Sequence, residues 1–452
     1  MRPRLSLSSN FCRVDASIRW RRAASVITTV GTLWMHGPTQ AQSLPSRQFW
    51  QVVRLEADVL PWLHGVAERQ LSVVACRSTC APIPWQLDER DPDGRFVLDH
   101  GEPTNFDDPP GVVDANDLIL FMASDSGRAV PQSLLPAGFV GVTEVEISDP
   151  DIHVRGWVYL LQYPHDAPRS ATSYVAYDPA ADRLTGARVA LGFERGTPRW
   201  LALIGTEGSG ANRLDRMKVR ASASFLWGLF TVRRTEDDVL TLPIAWHGGP
   251  IRVIRRQPFW IRLSWRWRTP IFMADTLFYR DFAEMPVTLH LNFTPRLLFA
   301  NVAIRVSLDF RDLAGWEVET IGDQRVRVNG EMTADKRALS HAAGRWFALH
   351  GPDLTLVQAL TLSDSLSGLG PRIYYRESRT VEDPPESVAG ALPDIGYTLT
   401  GWDQVRSGDH WFAATAYALP RERSVEEFLA ALGTSLHVEA RQMRAAETRS
   451  TQ

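Results

Sequence analysis

The 452-residue chain has little of three things: cysteine, lysine and net charge. It contains 3 cysteines, Lys218 and Lys336 are its only lysines, and its formal net charge is −3. A chain so close to neutral has no overall field that would attract nucleic acid or an anionic membrane, so neither is predicted as a partner. The arginine used in place of lysine suits bidentate binding of carboxylates, or else reflects a codon bias of the genome.

Long hydrophobic runs are also lacking, apart from one apolar stretch between residues 23 and 35. Arg19, Arg21 and Arg22 precede this stretch, and the small residues Thr39 and Ala41 follow it. This three-part layout is that of a secretory signal peptide at residues 1–41, and the stretch is too short to span a bilayer. We therefore predict a periplasmic or secreted protein, with no membrane-spanning segment in the mature chain.

Two cysteines, Cys76 and Cys80, would remain after cleavage of the signal peptide. Export leads to an oxidising compartment, where two thiols this close in sequence favour a short-loop disulfide. A metal site would need further ligands at matching spacing, and a redox dithiol usually has two intervening residues rather than three. We predict the disulfide, and metal binding and redox activity are the alternatives.

Periodicity predicts a mainly β protein. Two-residue alternation marks strands at residues 157–161 and 302–310. A capping box at residues 424–427, followed by leucines at helical spacing as far as Leu436, marks a C-terminal helix. We predict two β-sandwich-like parts, of which a supersandwich is one arrangement. The predicted divisions are a signal peptide at 1–41, an acidic, loop-rich β domain at 42–195, a larger β-sandwich domain at 196–420, and a helix with a polar tail at 421–452.

The most distinctive stretch is acidic and lies between residues 83 and 121. Closely spaced aspartates beside glycines can wrap Ca²⁺, which takes about six to eight oxygen ligands. The EF-hand pattern is not met, so the alternative is a pair of turns in which Asp and Asn side chains bond to nearby backbone. The predicted calcium ligands are Asp88, Asp91, Asp93, Asp114 and Asp117.

The same stretch carries a resemblance, since it reads IPWQLDERDPDG at residues 83–94 and DANDLILFMA at residues 114–123. This resembles a pattern in secreted bacterial proteins of the galactose-mutarotase-like β-supersandwich kind, which often occur with polysaccharide lyases and other glycan-degrading enzymes. The resemblance covers about 40 residues of 452 and implies a supersandwich fold and a glycan-related role. An insertion between Gly94 and Asp114 departs from the pattern, and no catalytic residue is carried across.

The second candidate site is the arginine- and aromatic-rich middle of the chain. Strand alternation along residues 258–269 would place three arginines on one face, where guanidinium groups match carboxylates bidentately. Cleavage of a uronate polymer by a lyase needs such a cation and a Tyr or His that moves a proton. Arginines on an exposed strand face are more often simply solvated, which is the alternative. The predicted residues are Tyr279, His290 and Arg280 for catalysis, and Arg262, Arg266, Arg268, His247 and Trp260 for substrate binding.

These observations predict an exported protein that binds or degrades an extracellular, anionic polysaccharide. The alternatives are an accessory or structural protein of the cell envelope that binds a protein partner, and a carbohydrate-binding module without catalysis. A concave groove lined by arginine, tyrosine and histidine would favour an enzyme, whereas a flat apolar patch would favour the accessory protein. The Gly-x-Ser-x-Gly, His-Glu-x-x-His and P-loop signatures of other enzyme classes are absent from the sequence.

Overall fold

The computed structural model describes residues 51–443, apart from 104, 107–108, 207, 226–229, 242–243, 265–266, 322–323, 379–391 and 422–423. Within this part of the chain the structure has 28 strands and two short α-helices, which confirms the predicted mainly β fold class. No described helix has the length and hydropathy needed to cross a bilayer. The predicted signal peptide lies outside the described residues.

The elements are numbered in chain order. The helices are α1 (Ala334–Leu339) and α2 (Val425–Leu432). The strands are β1 (Val52–Glu56), β2 (Leu71–Cys76), β3 (Cys80–Pro82), β4 (Trp85–Asp88), β5 (His100–Gly101), β6 (Leu118–Met122), β7 (Gly141–Asp149), β8 (Val154–Gln162), β9 (Ala176–Asp178), β10 (Arg183–Thr185), β11 (Val189–Glu194), β12 (Thr197–Leu203), β13 (Leu214–Phe225), β14 (Phe230–Arg234), β15 (Val239–Thr241), β16 (Ala245–Gly248), β17 (Arg252–Ile261), β18 (Phe272–Tyr279), β19 (Phe282–Leu291), β20 (Phe299–Phe310), β21 (Glu317–Thr320), β22 (Gln324–Arg327), β23 (Trp346–His350), β24 (Leu354–Leu362), β25 (Gly370–Arg376), β26 (Asp394–Thr400), β27 (Gly408–Pro420) and β28 (His437–Gln442).

These strands pair into five antiparallel sheets within the described residues. The large sheet has 11 strands in the order β22-β21-β23-β24-β27-β19-β18-β17-β16-β5, and β15 pairs with β17 beside them. The facing sheet has the order β14-β13-β20-β26-β25. The other three sheets are β12-β11-β10-β9, β1-β6-β4 and β28-β7-β8-β2-β3.

The large sheet is covered on both faces. Its inner face contributes Val287 and Leu360 to a core shared with the facing sheet, so these two sheets form a β-sandwich. Its outer face contributes Leu419 to a second core, which Phe428 of α2 and residues of β6 complete. Because both faces are covered, a strand such as β24 is apolar at adjacent as well as alternate positions.

The first part of the chain forms its own core. The sheets β1-β6-β4 and β28-β7-β8-β2-β3 bury Trp85, Ile119 and Leu160 between them. This confirms the prediction of two sandwich-like parts. In the hairpin of β2 and β3, Cys76 pairs with Cys80, and the predicted disulfide joins them.

The C-terminal helix begins where the capping box predicts. The Ser424 hydroxyl accepts a hydrogen bond from the backbone N–H of Glu427 at 3.4 Å, which satisfies one of the unpaired donors of the first turn. The helix ends at Leu432, so Leu436, which the spacing assigns to it, lies beyond its end. The predicted domain limits stay a prediction. Three strand pairings cross them: β5 with β16, β11 with β12, and β28 with β7.

Candidate functional site

The acidic stretch forms turns that are closed by its own aspartates. One carboxylate oxygen of Asp91 accepts the backbone N–H groups of Asp93 and Arg95, both at 3.0 Å. The Asp114 carboxylate accepts the N–H of Asn116 at 3.0 Å in the same way. The alternative of turns capped by Asp side chains is therefore what the structure contains.

No three acidic, histidine or cysteine side chains in the described part of the chain are placed to hold a metal ion together. Calcium binding stays a prediction. Calcium binding would require these aspartate carboxylates to give up hydrogen bonds with protein N–H groups and to bind the ion instead. Melting curves with millimolar calcium and with a chelator test it, since an ion that binds only the folded state raises the midpoint. The residues concerned remain Asp88, Asp91, Asp93, Asp114 and Asp117.

Asp88, from the stretch that carries the resemblance, belongs to a buried network beneath the outer face of the large sheet. Asp88 and Arg252 are each 1% exposed, and the Arg252 Nε donates to Asp88 Oδ2 at 2.7 Å. Gln86 Oε1 accepts the backbone N–H groups of Ile251 and Arg252, and its amide donates to Asp88 at 2.5 Å. Tyr279 completes the set. We call Gln86, Asp88, Arg252 and Tyr279 the buried network, and it fixes β4 to β17.

Tyr279, the predicted proton-transfer residue, is fully buried. Its hydroxyl accepts hydrogen bonds from Arg252 at 2.5 Å and from Arg54 at 3.0 Å, and its ring stacks on Phe282 at 4.2 Å. A side chain so enclosed cannot touch a polymer in solution. Tyr279 therefore packs in the protein interior. The sequence around Tyr279 does not reveal this burial, because β6, which covers the outer face there, lies far away in the chain.

The predicted catalytic pair is separated by the hairpin between β18 and β19. In the register of these strands Phe278 lies opposite Ala283, whereas Phe272 lies opposite Leu289. Tyr279 therefore lies at one end of the pair and His290 at the other, roughly 25 Å apart at about 3.3 Å per residue. His290 is exposed, and its Nδ1 lies 2.7 Å from a carboxylate oxygen of Asp409.

The predicted arginine face is only partly formed. Strand β17 ends at Ile261, so one continuous strand over residues 258–269 is a wrong prediction. Arg262 and Arg268 instead lie opposite each other in an isolated bridge. The Arg268 guanidinium lies 5.0 Å from the centre of the Trp260 ring, and Arg262 bonds to Asp238 at 3.1 Å. Arg266 lies outside the described residues.

The other two predicted residues have acidic partners. The Arg280 Nε donates to the buried Asp281 carboxylate at 2.9 Å. His247, on β16, lies with its Nδ1 3.1 Å from Asp99, which also contacts His100 at 2.7 Å. Burial lowers the pKa of His247, but the hydrogen bond with Asp99 and the charge of Asp88 outweigh burial and raise it above its ordinary value.

A site that sequence reasoning missed lies at the other edge of the large sheet, on the same outer face. On β21, Glu317 lies opposite Arg327 of β22 on one side and His350 of β23 on the other. Glu319, two residues further along β21, lies opposite Arg325. Opposite partners and alternate residues point to one face of a sheet. The intervening Val318 and Leu349 point to the core and are buried. The edge therefore presents five polar side chains together.

These side chains line a cleft of about 850 Å³, whose other wall includes the first turn of α2. We call it the charged cleft. Its lining residues include Trp316, Glu317, Glu319, Arg325, Arg327, His350, Arg421, Ser424 and Glu426.

The floor of the charged cleft is held in place by bonds between its own residues. Glu319 is buried, and its carboxylate lies 2.5 Å from the Nε2 of His350 and 3.1 Å from an Arg325 nitrogen. The other ring nitrogen of His350 bonds to the buried Thr355 hydroxyl at 3.1 Å. A Cβ at Gly351 would lie 2.5 Å from the Trp316 ring, so glycine lets the indole pack there. The floor is thus preorganised.

The rim of the charged cleft carries two guanidinium groups that form no ion pair within the described part of the chain, although Glu317 lies opposite Arg327 in the strand register. Arg327 is exposed, and its guanidinium has no hydrogen bond or ion pair to another described residue. Arg421 donates to the Pro352 carbonyl at 2.9 Å and has no carboxylate partner in the described part of the chain. Such guanidinium groups are available for a carboxylate or another anion.

A signal for the charged cleft exists in the sequence. Residues 317–319 read Glu-Val-Glu and residues 325–327 read Arg-Val-Arg, and residues 320–324 separate the two triplets. Alternation with opposite charges on the two arms predicts a hairpin whose polar faces pair across the strands.

No family model matches the chain, and no curated protein does. Solved structures that are similar include an α-mannosidase from Enterococcus faecalis V583, with 9% identity, a TM-score of 0.47, and coverage of 87% of this chain and 44% of that one. They also include a protein of glycosyl hydrolase family 38 from Enterococcus faecalis, with 10% identity, a TM-score of 0.44, and coverage of 88% and 46%. The chain spans less than half the length of each. The likeness is distant and by itself assigns neither activity nor ligand.

Proposed function

We propose that this protein is exported and binds an extracellular polysaccharide, and that the charged cleft receives acidic sugars of the polymer. The observation that carries the proposal is the combination of a concave site with guanidinium groups, those of Arg327 and Arg421, that lack a carboxylate partner in the described structure. Uronate carboxylates match guanidinium forks bidentately.

The remaining lining fits a sugar rather than a simple anion. Glu317, Glu426 and Ser424 supply acceptors and a hydroxyl for sugar O–H groups, and Trp316 supplies an apolar surface. Carboxylates beside the arginines would only repel an inorganic anion, whereas a uronic acid sugar also has hydroxyl groups that can donate hydrogen bonds to them. Mixed charge with an aromatic residue supports a ligand that has both a carboxylate and many hydroxyls.

Degradation of the polymer is the second candidate. Glu317 on the sheet and Glu426 on α2 both line the cleft, and glycoside hydrolysis uses two carboxylates on either side of the scissile bond. Lyase chemistry based on Tyr279 is not part of the proposal, because that residue is buried.

Affinity electrophoresis tests the binding proposal. Wild type and Arg327→Ala would be run in gels that contain either uronate-rich or neutral polysaccharides. We expect a uronate polymer to retard wild type, and the variant to bind about ten- to a hundredfold more weakly, as loss of one charged contact predicts. Arg337→Ala is the matched control, since Arg337 is exposed on α1 and does not line the cleft.

Three results would change the conclusion. If no polysaccharide retards the protein, the accessory-protein alternative replaces the proposal. If Arg268→Ala weakens binding and Arg327→Ala does not, the polymer binds at the arginines around Trp260, as the sequence predicts, and not in the cleft. Release of reducing ends that Glu317→Gln or Glu426→Gln abolishes would make the protein a hydrolase, whereas binding without product makes it a binding module.

A further inference from the structure

Half of the exposed large apolar side chains lie at one end of the sandwich. Among the described residues, twelve large hydrophobic side chains are exposed, and six of them lie on or beside the connections from β13 to β14, from β17 to β18 and from β19 to β20. We call these six side chains the apolar end. They are Phe230, Trp267, Ile271, Phe293, Leu297 and Leu298.

Contacts between the strand ends bring the three connections together. Phe225, the last residue of β13, lies opposite Phe230 of β14 and Phe299 of β20 in the strand register. The rings of Phe225 and Phe299 are 5.5 Å apart. From the connection in the large sheet, the Trp267 ring packs edge-on against Phe225 at 5.7 Å. Because Leu298 directly precedes Phe299, all three connections contribute to one surface.

The exposure of this surface is unusual for connections between strands, which are normally polar. Leu297 is 71% exposed, Phe230 is 61% exposed and Trp267 is 50% exposed. The contact with Phe225 holds the Trp267 ring in a fixed position while half of it faces solvent. Soluble proteins rarely expose contiguous apolar surface of this kind, and where they do it marks contact with another protein or with a membrane.

The charge around the apolar end indicates which of these partners it fits. Residues 262–271 and 292–299 contain no acidic residue. Arg233, Arg268 and Arg296 are exposed, and none of the three has a carboxylate partner within the described part of the chain. The Arg268 guanidinium lies over the Trp260 ring, which leaves its N–H groups available to an anion.

The acidic residues that are nearest in the chain do not cancel these charges. They occupy residues 236–238, between β14 and β15. Glu236 is buried and pairs with Arg216 at 3.4 Å, and Asp238 pairs with Arg262 at 3.1 Å. Only Asp237 of the three is exposed without an ion pair to a described residue. The apolar end is therefore locally positive, although the whole chain has a formal net charge of −3.

Apolar side chains with arginines around them match the surface of an anionic bilayer. Leucine and phenylalanine side chains can enter the acyl region, and tryptophan favours the level of the headgroups. Guanidinium groups bind phosphate oxygens bidentately. A bilayer adapts to the protein contour, so apolar residues on three separate connections can enter it together, whereas a folded partner would need a matching shape.

We infer that the apolar end docks the protein onto a membrane surface that contains anionic phospholipids. Leu297, Leu298 and Phe230 enter the acyl region, Trp267 lies at the level of the headgroups, and the three open arginines bind phosphates. None of the residues of the apolar end lines the charged cleft, so the two surfaces are separate. The inference therefore does not rest on polysaccharide binding.

Cosedimentation of the full protein with vesicles tests this inference. One set of vesicles would be phosphatidylcholine alone, and the other an equimolar mixture of phosphatidylcholine and phosphatidylglycerol. We expect the protein to sediment with the mixed vesicles and to bind the neutral ones at least about tenfold more weakly, because only the mixed vesicles attract arginine. Failure to bind the mixed vesicles, or equal binding to both kinds, would overturn the inference.

Matched variants locate the surface, since they share every other part of the chain with wild type. Leu297→Asp places a carboxylate against the bilayer and should weaken binding at least about tenfold. Leu134→Asp is the control, because Leu134 is also exposed but belongs to the first sandwich-like part. Arg296→Ala should weaken binding about fivefold, the change that about 1 kcal/mol per arginine near an anionic surface gives. Wild-type binding by folded Leu297→Asp would refute the surface.

Two further measurements separate a bilayer from a second copy of the chain. Phospholipids with brominated acyl chains quench nearby tryptophan fluorescence, and we expect Trp267→Phe to reduce this quenching. Trp246→Phe, whose ring stacks on His100 away from the apolar end, should leave the quenching unchanged. Equal quenching in wild type and both variants would contradict the position of Trp267. In analytical ultracentrifugation, a wild-type dimer that Leu297→Asp converts to a monomer would make the apolar end a contact between two copies and overturn the inference.

Discussion

The buried network and the charged cleft lie on the same outer face of the large sheet, and both combine arginine with carboxylate groups. At β17 and β18 the face is covered by β4 and β6, and there Arg252, Asp88 and Tyr279 satisfy one another. At β21 and β22 the edge of the sheet borders an open cleft, and the Arg327 guanidinium there has no bonding partner among the described residues. Whether the sheet face is covered, and not the presence of arginine and carboxylate groups on it, therefore decides whether these charges are buried against one another or left open to solvent.

The largest expected effect is in the buried network. Asp88→Asn keeps the shape of the side chain but leaves the Arg252 charge unpaired in the interior, which should lower the free energy of unfolding by about 3–5 kcal/mol. Urea denaturation measures this. A loss of under about 1 kcal/mol would mean that water or another residue stabilises the Arg252 charge. The buried network would then not differ from the charged cleft in the way proposed.

The matched change in the charged cleft should act on binding instead. Arg327→Ala should alter the free energy of unfolding by no more than about 0.5 kcal/mol, as is usual for an exposed side chain without partners. Arg327→Lys should recover only part of the affinity for a uronate polymer, because an ammonium group cannot bond bidentately. Unfolding curves and affinity electrophoresis of the same preparations would show whether stability and binding separate in this way.

Added salt should affect the charged cleft and the buried network differently, but this difference should be smaller than the effects of the substitutions. Exposed charges are screened over about 10 Å at 0.1 M ionic strength, whereas buried pairs are screened far less. Raising sodium chloride should therefore reduce polymer binding at the cleft, while the stability difference between wild type and Asp88→Asn stays nearly constant. Binding that does not depend on salt would indicate that hydroxyl and aromatic contacts, and not the arginines, hold the polymer.

The smallest effect concerns the half-exposed pair of His247 and Asp99 at the border of the buried network. The raised pKa of His247 means that its contribution to stability is complete below its ordinary value of 6.5 and is lost as the pH rises through the higher folded value. Burial would raise the pKa of Asp99, but its bonds with His247 and His100 lower it to about 2. Its contribution is therefore present above the ordinary value of 3.8 and is lost as the pH falls toward 2.

The pair should thus stabilise the protein most between the two ordinary values. Unfolding of wild type and Asp99→Asn as a function of pH measures this, and we expect the difference to be largest near pH 5 and to shrink at pH 8 and at pH 2. A difference that grows toward pH 8 would contradict the assignment of a protonated His247.

Prediction from the sequence succeeded where the signal was local. The alternation at residues 302–310 lies in β20, and the Ser424 cap and the bonded cysteines are formed as predicted. It failed where residues far apart in the chain had to meet. Tyr279 and His290 are close in sequence, but the hairpin carries them to opposite ends of β18 and β19.

The sequence by itself determined the mainly β class, the short-loop disulfide and the helix start, because each depends on residues within a few positions of one another. Only the tertiary structure decided which charges are buried and which are open. Asp88 meets Arg252 across 164 positions of the chain, a contact that no local pattern encodes. The charged cleft is open because, among the described strands, none pairs with the free edge of β22, and the space beside the alanines of β27 is closed by a second sheet. Both depend on which surfaces pack together, and packing is a property of the whole chain.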